Sequence, residues 1–123
     1  MKEENVVREK SYQFALRSIK LYRWFSEEKR EYVLSKQVLR SGTSIGANVE
    51  EAIGAQSEKD FRAKMSIAYK EARETSYWLR LLHDSKYIDK ASFESIHNDC
   101  EELLKILGSI IKTMKLRIGN QNN

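Results

Sequence analysis

The 123-residue chain is 41% hydrophobic and 33% charged, with five Gly and no Pro, a length and balance that fit one domain and exclude a multidomain enzyme. Its aliphatic and aromatic content is too high for a disordered chain, and no apolar run approaches the ~20 residues that a membrane-spanning helix needs. The net charge of +4 is unevenly placed: residues 1–103 sum to zero, the last twenty hold the whole excess, and Lys10 to Asn48 is itself +5.

The polar start, Met1 to Lys10, has no apolar stretch behind it to serve as a secretory signal, so the expected compartment is the cytoplasm. Four segments then step by three and four residues, which keeps apolar side chains on one stripe of a helix. The first runs Val7, Ser11, Phe14, Ser18, Leu21, Phe25. A charged break at Ser26 to Glu31 separates it from the second, which runs Leu34, Val38, Ser41, Ile45, Asn48, Ala52, Ala55. The small and polar members of that stripe imply close packing or a buried polar contact. Ser57 followed by Asp60 resembles a capping box with the shorter acid and starts the third stripe: Phe61, Met65, Ala68, Ala72, Thr75, Leu79, Leu82. Asp89 or Ser92 caps the fourth, which runs Phe93, Ile96, Cys100, Leu103, Leu107, Ile110, Met114. Gly119 is expected to end it, leaving 119–123 as a polar disordered tail beyond a single domain at 1–118. No segment alternates with period two, and short connections between long helices favour antiparallel neighbours. The predicted fold is therefore all-α, an antiparallel up-and-down four-helix bundle.

Apolar residues off these stripes, Ile67, Tyr77, Trp78 and Leu81 in the third helix and Leu104, Ile111 and Ile118 in the fourth, make a second stripe that calls for a second partner. Self-association is expected, with Trp24, Tyr77 and Trp78 as candidate interface residues.

Metal and nucleophile chemistries have little support. Glu94 and His97 have the Glu-x-x-His spacing of di-iron bundles, but the pattern occurs once, and His83 has Arg80 where the acid belongs. One Cys and two His fall short of a closed zinc set, and the carboxylates beside Cys100 would raise its pKa, so no metal or cofactor is expected. The run Ser41 to Gly46 lacks the Lys of a phosphate-cradling loop and lies on a helical stripe, where Gly42 and Gly46 serve close helix packing. Glu71 and Glu74 have the spacing of paired acids, yet the structural reading is a polar layer of Arg40, Asn48, Glu51 and Glu74 satisfying one another. No catalytic residue is assigned.

The charge map leaves two candidate nucleic-acid contacts: Arg17, Lys20 and Arg23 beside the ring of Trp24, and Lys112, Lys115 and Arg117 in the basic C-terminal segment. They form one surface if the fold brings them together. The alternative is a solvated helix face plus cations at a helix C-terminus, with Trp24 a subunit contact.

Gln37, Arg40, Ser44, Ile45, Ala47, Asn48 and Glu51, followed by Ser57, Lys59, Asp60, Phe61, Ile67, Ala68, Glu71 and Glu74, resemble the four-helix-bundle family of bacterial 23S rRNA intervening-sequence proteins. The resemblance covers nearly the whole chain, departing at Gly46 and Ser26, where many members have Pro. It implies a bundle that assembles as a ring-like homo-oligomer, a homopentamer, without cofactor or known catalysis. A related group of bundle proteins accompanies a reverse transcriptase in diversity-generating retroelements. The expectation is a non-enzymatic oligomer that binds structured RNA or DNA, or alternatively a scaffold for a protein partner.

Overall fold

The computed structural model describes residues 2–121, with the side chains of Ile118, Asn120 and Gln121 left aside. Four helices, α1 (Lys2–Trp24), α2 (Leu34–Ile53), α3 (Glu58–Asp84) and α4 (Lys90–Gln121), account for nearly all of them. Their register shows the path of the chain. Arg8 meets Glu50, Ser41 meets Thr75, and Ser76 meets His97, so successive helices run antiparallel. Lys10 meets Glu102 and Arg17 meets Asp99, closing the square between α1 and α4. The α1–α4 seam is the least closely packed of the four.

The core follows most of the apolar stripes: Val7, Phe14 and Phe25 from α1 and the turn after it, Val38 and Ile45 from α2, Met65 to Leu82 from α3, and Ile96 to Met114 from α4. In α2, however, Val49 is buried where the stripe has the half-buried Asn48, and Leu21, Leu34, Phe61 and Phe93 are half-buried at the edge of the core. The polar members of the stripes are satisfied locally. Ser11 and Ser18 donate to the carbonyls of Arg8 and Phe14, while the buried Thr75 hydroxyl donates to Ser41 Oγ at 2.8 Å across α2 and α3. Gly42 rests on α1 so closely that a β-carbon there would lie 2.9 Å from Ser18 Cβ, and one on Gly46 would lie 3.3 Å from the Ser11 carbonyl oxygen. α2 runs unbroken through both glycines.

The break after α1 is shorter than the charge pattern suggests. Phe25–Lys29 continues as a π-helical turn, and the chain leaves it at Arg30, whose φ of 52° is left-handed. The extra residue per turn aims Phe25 inward and sets Glu31 against the start of α2. There the Glu31 carboxylate accepts the backbone N–H groups of Val33, Leu34 and Ser35, a cap supplied from ahead of the helix. Ser57 caps α3 by accepting the Asp60 N–H at 3.0 Å, and Asp89 caps α4 by accepting the Ser92 N–H at 2.7 Å.

Several expectations change. α4 runs through Gly119 to Gln121, because Gly lowers helix propensity without forcing a stop; Asn122 and Asn123 lie outside the described residues. Trp78 packs half-buried against the core, and its indole N–H is buried with no hydrogen-bond partner among the described residues. Leu104 and Ile111 likewise widen the core stripe. The four-residue polar layer does not assemble. Arg40 pairs with Glu74 and, at 3.5 Å, with Glu71, whereas Asn48 bonds its own helix at the Ser44 carbonyl and Glu51 pairs with Lys64. The reason is register: Asn48 and Glu51 lie two and three turns beyond Arg40 along α2, too far to share its partners.

Candidate nucleic-acid interface

Arg17, Lys20 and Trp24 are brought together as the spacing implies, on the side of α1 that borders the first turns of α4. With Ile88, Ser92 and Ser95 they line an open cleft of about 620 Å³. Arg17, however, is already engaged: its guanidinium lies 2.6 Å from Asp99 and donates to the Ser95 carbonyl and hydroxyl. The Trp24 ring, 40% exposed, has the Lys29 ammonium 5.4 Å from its centroid, and Arg23 projects outside the cleft.

The C-terminal cations divide. Arg117 turns toward the start of α3, where it pairs with Glu58 at 3.6 Å. Lys112 and Lys115 turn to the α3–α4 seam and border a depression of about 440 Å³ whose other lining residues are Ser66, Tyr69, Lys70, Gly108 and Ile111. Three lysines surround it, and among the described residues no carboxylate lines it.

The two predicted basic groups do not meet. α1 ends beside the beginning of α4, so the cleft at Ser95 and the depression at Lys112 are about 25 Å apart along α4, on different seams. What does extend the lysine depression is a set of cations on α3 that segment-wise charge counting concealed, because residues 49–103 are acidic in sum. Lys70, Arg73, Tyr77 and Arg80 follow one another at steps of three, four and three on the exposed side of α3, with the Arg80 guanidinium 5.9 Å from the Tyr77 ring centroid. That periodicity is legible in the sequence once the helix face is known.

The groups that could be mistaken for a catalytic centre have structural partners. Ser76 Oγ lies 2.8 Å from His97 Nε2, and Glu101 approaches the same nitrogen at 3.5 Å. A nucleophile–imidazole–acid relay divides its contacts between the two ring nitrogens, and this arrangement does not. Burial, with Arg80 nearby, lowers the His97 pKa against the pull of Glu101. The ring stacks on Phe93 at 4.8 Å, and His83 stacks on Phe93 at 4.5 Å. Glu94 is drawn away from His97 toward Lys90. Cys100 is buried, donates to the Ala72 carbonyl, and burial reinforced by Glu101 pushes its thiol up to about 12. Burial also raises the Glu71 carboxyl, an effect opposed by Arg40 and reinforced by Glu74. Among the described residues no three His, Cys, Asp or Glu side chains gather as metal ligands, and no helix is long and apolar enough to cross a membrane.

Residues 3–109 match the family model described as the 23S rRNA-intervening sequence protein. The chain is also similar to the crystal structure, at 1.70 Å resolution, of a protein with unknown function from the S23 ribosomal protein family from Bacteroides thetaiotaomicron VPI-5482. The two are 55% identical with a TM-score of 0.88, over 89% of this chain and 98% of that one. No curated protein matches the chain.

Proposed function

We propose that this chain, which belongs to the 23S rRNA-intervening sequence protein family, is a non-enzymatic cytoplasmic bundle that binds structured RNA or another nucleic acid through basic surfaces repeated around a homopentameric ring. One observation carries the reading: Lys112 and Lys115 stand beside Lys70 around a depression that no carboxylate lines, so their charge is available to phosphates. Arg17 and Arg117 are contributors of lower rank, since each already has a carboxylate partner. Three lysines on one subunit give modest affinity. Repetition around a ring converts further contacts into intramolecular ones and raises avidity without any new kind of contact.

The test is fluorescence anisotropy against an RNA hairpin and a matched DNA duplex at several salt concentrations, with the assembly mass measured by light scattering. Binding that weakens steeply with salt is expected, and changing Lys112 and Lys115 to Glu flattens that dependence more than Arg17→Ala does. An unchanged salt slope in the lysine variant removes these residues from the interface. No binding at low salt by a confirmed oligomer overturns the reading.

A second reading is favoured by exposed apolar residues away from the lysines: Trp24 and Tyr32 on either side of the π-helical turn, Val33 at 73% exposure, and Tyr77 on α3. On this reading the bundle is a protein-interaction scaffold or an accessory subunit of a nucleic-acid-processing enzyme such as a reverse transcriptase. It predicts that Trp24→Ala or Tyr77→Ala abolishes partner capture while the lysine variant retains it.

A further inference from the structure

The α3–α4 depression has two chemically different parts. Its rim holds Lys70 from one helix and Lys112 and Lys115 from the other, and its floor is the half-buried Tyr69 ring, Ile111 and the bare backbone at Gly108. A duplex read through its phosphates needs only the rim, because paired bases are stacked on one another and offer no face to a protein surface. An unpaired nucleotide needs both parts, a cation for its phosphate and an apolar floor for its base. An acidic peptide would use the rim and leave the floor without an occupant. We infer that this groove holds unpaired nucleotides, those of a single strand or of a hairpin loop, with their phosphates on Lys70, Lys112 and Lys115 and a base laid over Tyr69 and Gly108. The inference rests on the nucleic-acid reading above and specifies which part of the nucleic acid is bound.

Gly108 provides the means to separate floor from rim. A β-carbon there would lie 3.6 Å from Tyr69 Cε2, an ordinary contact, and replacing Gly within a helix raises helix propensity. Gly108→Ala therefore fits without displacing its neighbours, and Gly108→Leu extends a side chain over the floor while leaving the lysines in place. Its folding is checked by circular dichroism and thermal unfolding, with Gly108→Ala as the smaller substitution. Anisotropy is then measured with labelled oligouridylate and with a blunt RNA duplex of equal phosphate count.

The expected result is that wild type prefers the single strand, Gly108→Leu loses about tenfold in affinity for it with duplex binding little changed, and Lys70→Ala lowers the salt slope by roughly one phosphate's share. Equal affinity for duplex and single strand, single-strand binding by Gly108→Leu as tight as wild type, or displacement of the oligonucleotide by polyglutamate of equal charge overturns the inference. The first two of those outcomes leave the nucleic-acid reading standing. Binding to neither probe overturns both.

Discussion

Glu31 and Ser35 hold each other in a closed loop at the entry to α2: the Ser35 N–H donates to the Glu31 carboxylate at 2.8 Å, and the Ser35 hydroxyl donates to the Glu31 carbonyl at 2.8 Å. Both residues are buried. Burial pushes the Glu31 carboxyl up, but the N–H groups of Leu34 and Ser35, the Ser35 hydroxyl and the Val33 N–H outweigh it and hold the pKa below the usual 4.5. A depressed carboxyl contributes stability that is present above its unfolded value and is lost as pH falls through the folded one. Glu31→Ala is expected to cost about 1–3 kcal/mol at neutral pH in denaturant unfolding. Its difference from wild type shrinks as the solution is taken below the carboxylate range. A difference independent of pH would show that the side chain acts by packing alone.

The close approach at Gly42 makes a second prediction. Gly42→Ala places its β-carbon against Ser18 Cβ, which the α1 backbone holds in place, so the two helices must separate. A loss of about 1–3 kcal/mol is expected despite the gain in helix propensity. Ser18→Gly in the same chain recovers part of it, and the coupling is read from the double-mutant cycle. Additive single effects would mean that the two positions do not share this contact.

Arg40 stands between Glu71 and Glu74. A carboxyl held above its ordinary value, as Glu71 is by burial, contributes stability below that value and loses it as pH rises through the folded one. Arg40→Ala removes the counter-charge, so the variant's stability is expected to fall more steeply than wild type from acid to neutral pH. The total is roughly 1 kcal/mol or less, because the Arg40 side chain is half-exposed. Adding Glu74→Gln should restore most of that loss, and chemical denaturation at two pH values measures it.

His97 is expected to titrate below 6.5 in a proton NMR series, since burial disfavours its charged form. A lowered base contributes stability above its unfolded pKa that is lost as pH falls through the folded one. A midpoint at or above 6.5 would contradict the burial of the ring.

Much of the architecture is legible in the sequence because a helix makes its buried face visible at short range. Ser11, Ser18, Ser41 and Thr75 fall on the stripes despite being polar, and all four are buried. The caps at Ser57 and Asp89 are equally local, since donor and acceptor lie three residues apart. The Glu31 cap has no such local signature, because it depends on a π-helical turn and a left-handed Arg30 that no residue pattern in Phe25 to Arg30 marks. Trp78 packs half-buried against the core, a placement its spacing leaves open because a wide core stripe and a second exposed stripe have the same spacing.

The four helices, most of their inward faces and the all-α class are legible in the chain alone, because each follows from the 3.6-residue repeat within one segment. Which charges are left free depends on how the helices pack. Arg17 is engaged by Asp99, Arg117 by Glu58 and Arg40 by Glu74, whereas Lys70 joins Lys112 and Lys115 around a groove without a carboxylate. Those relationships join residues far apart in the chain and depend on the register at which antiparallel helices pack, a quantity that no local pattern of residues encodes.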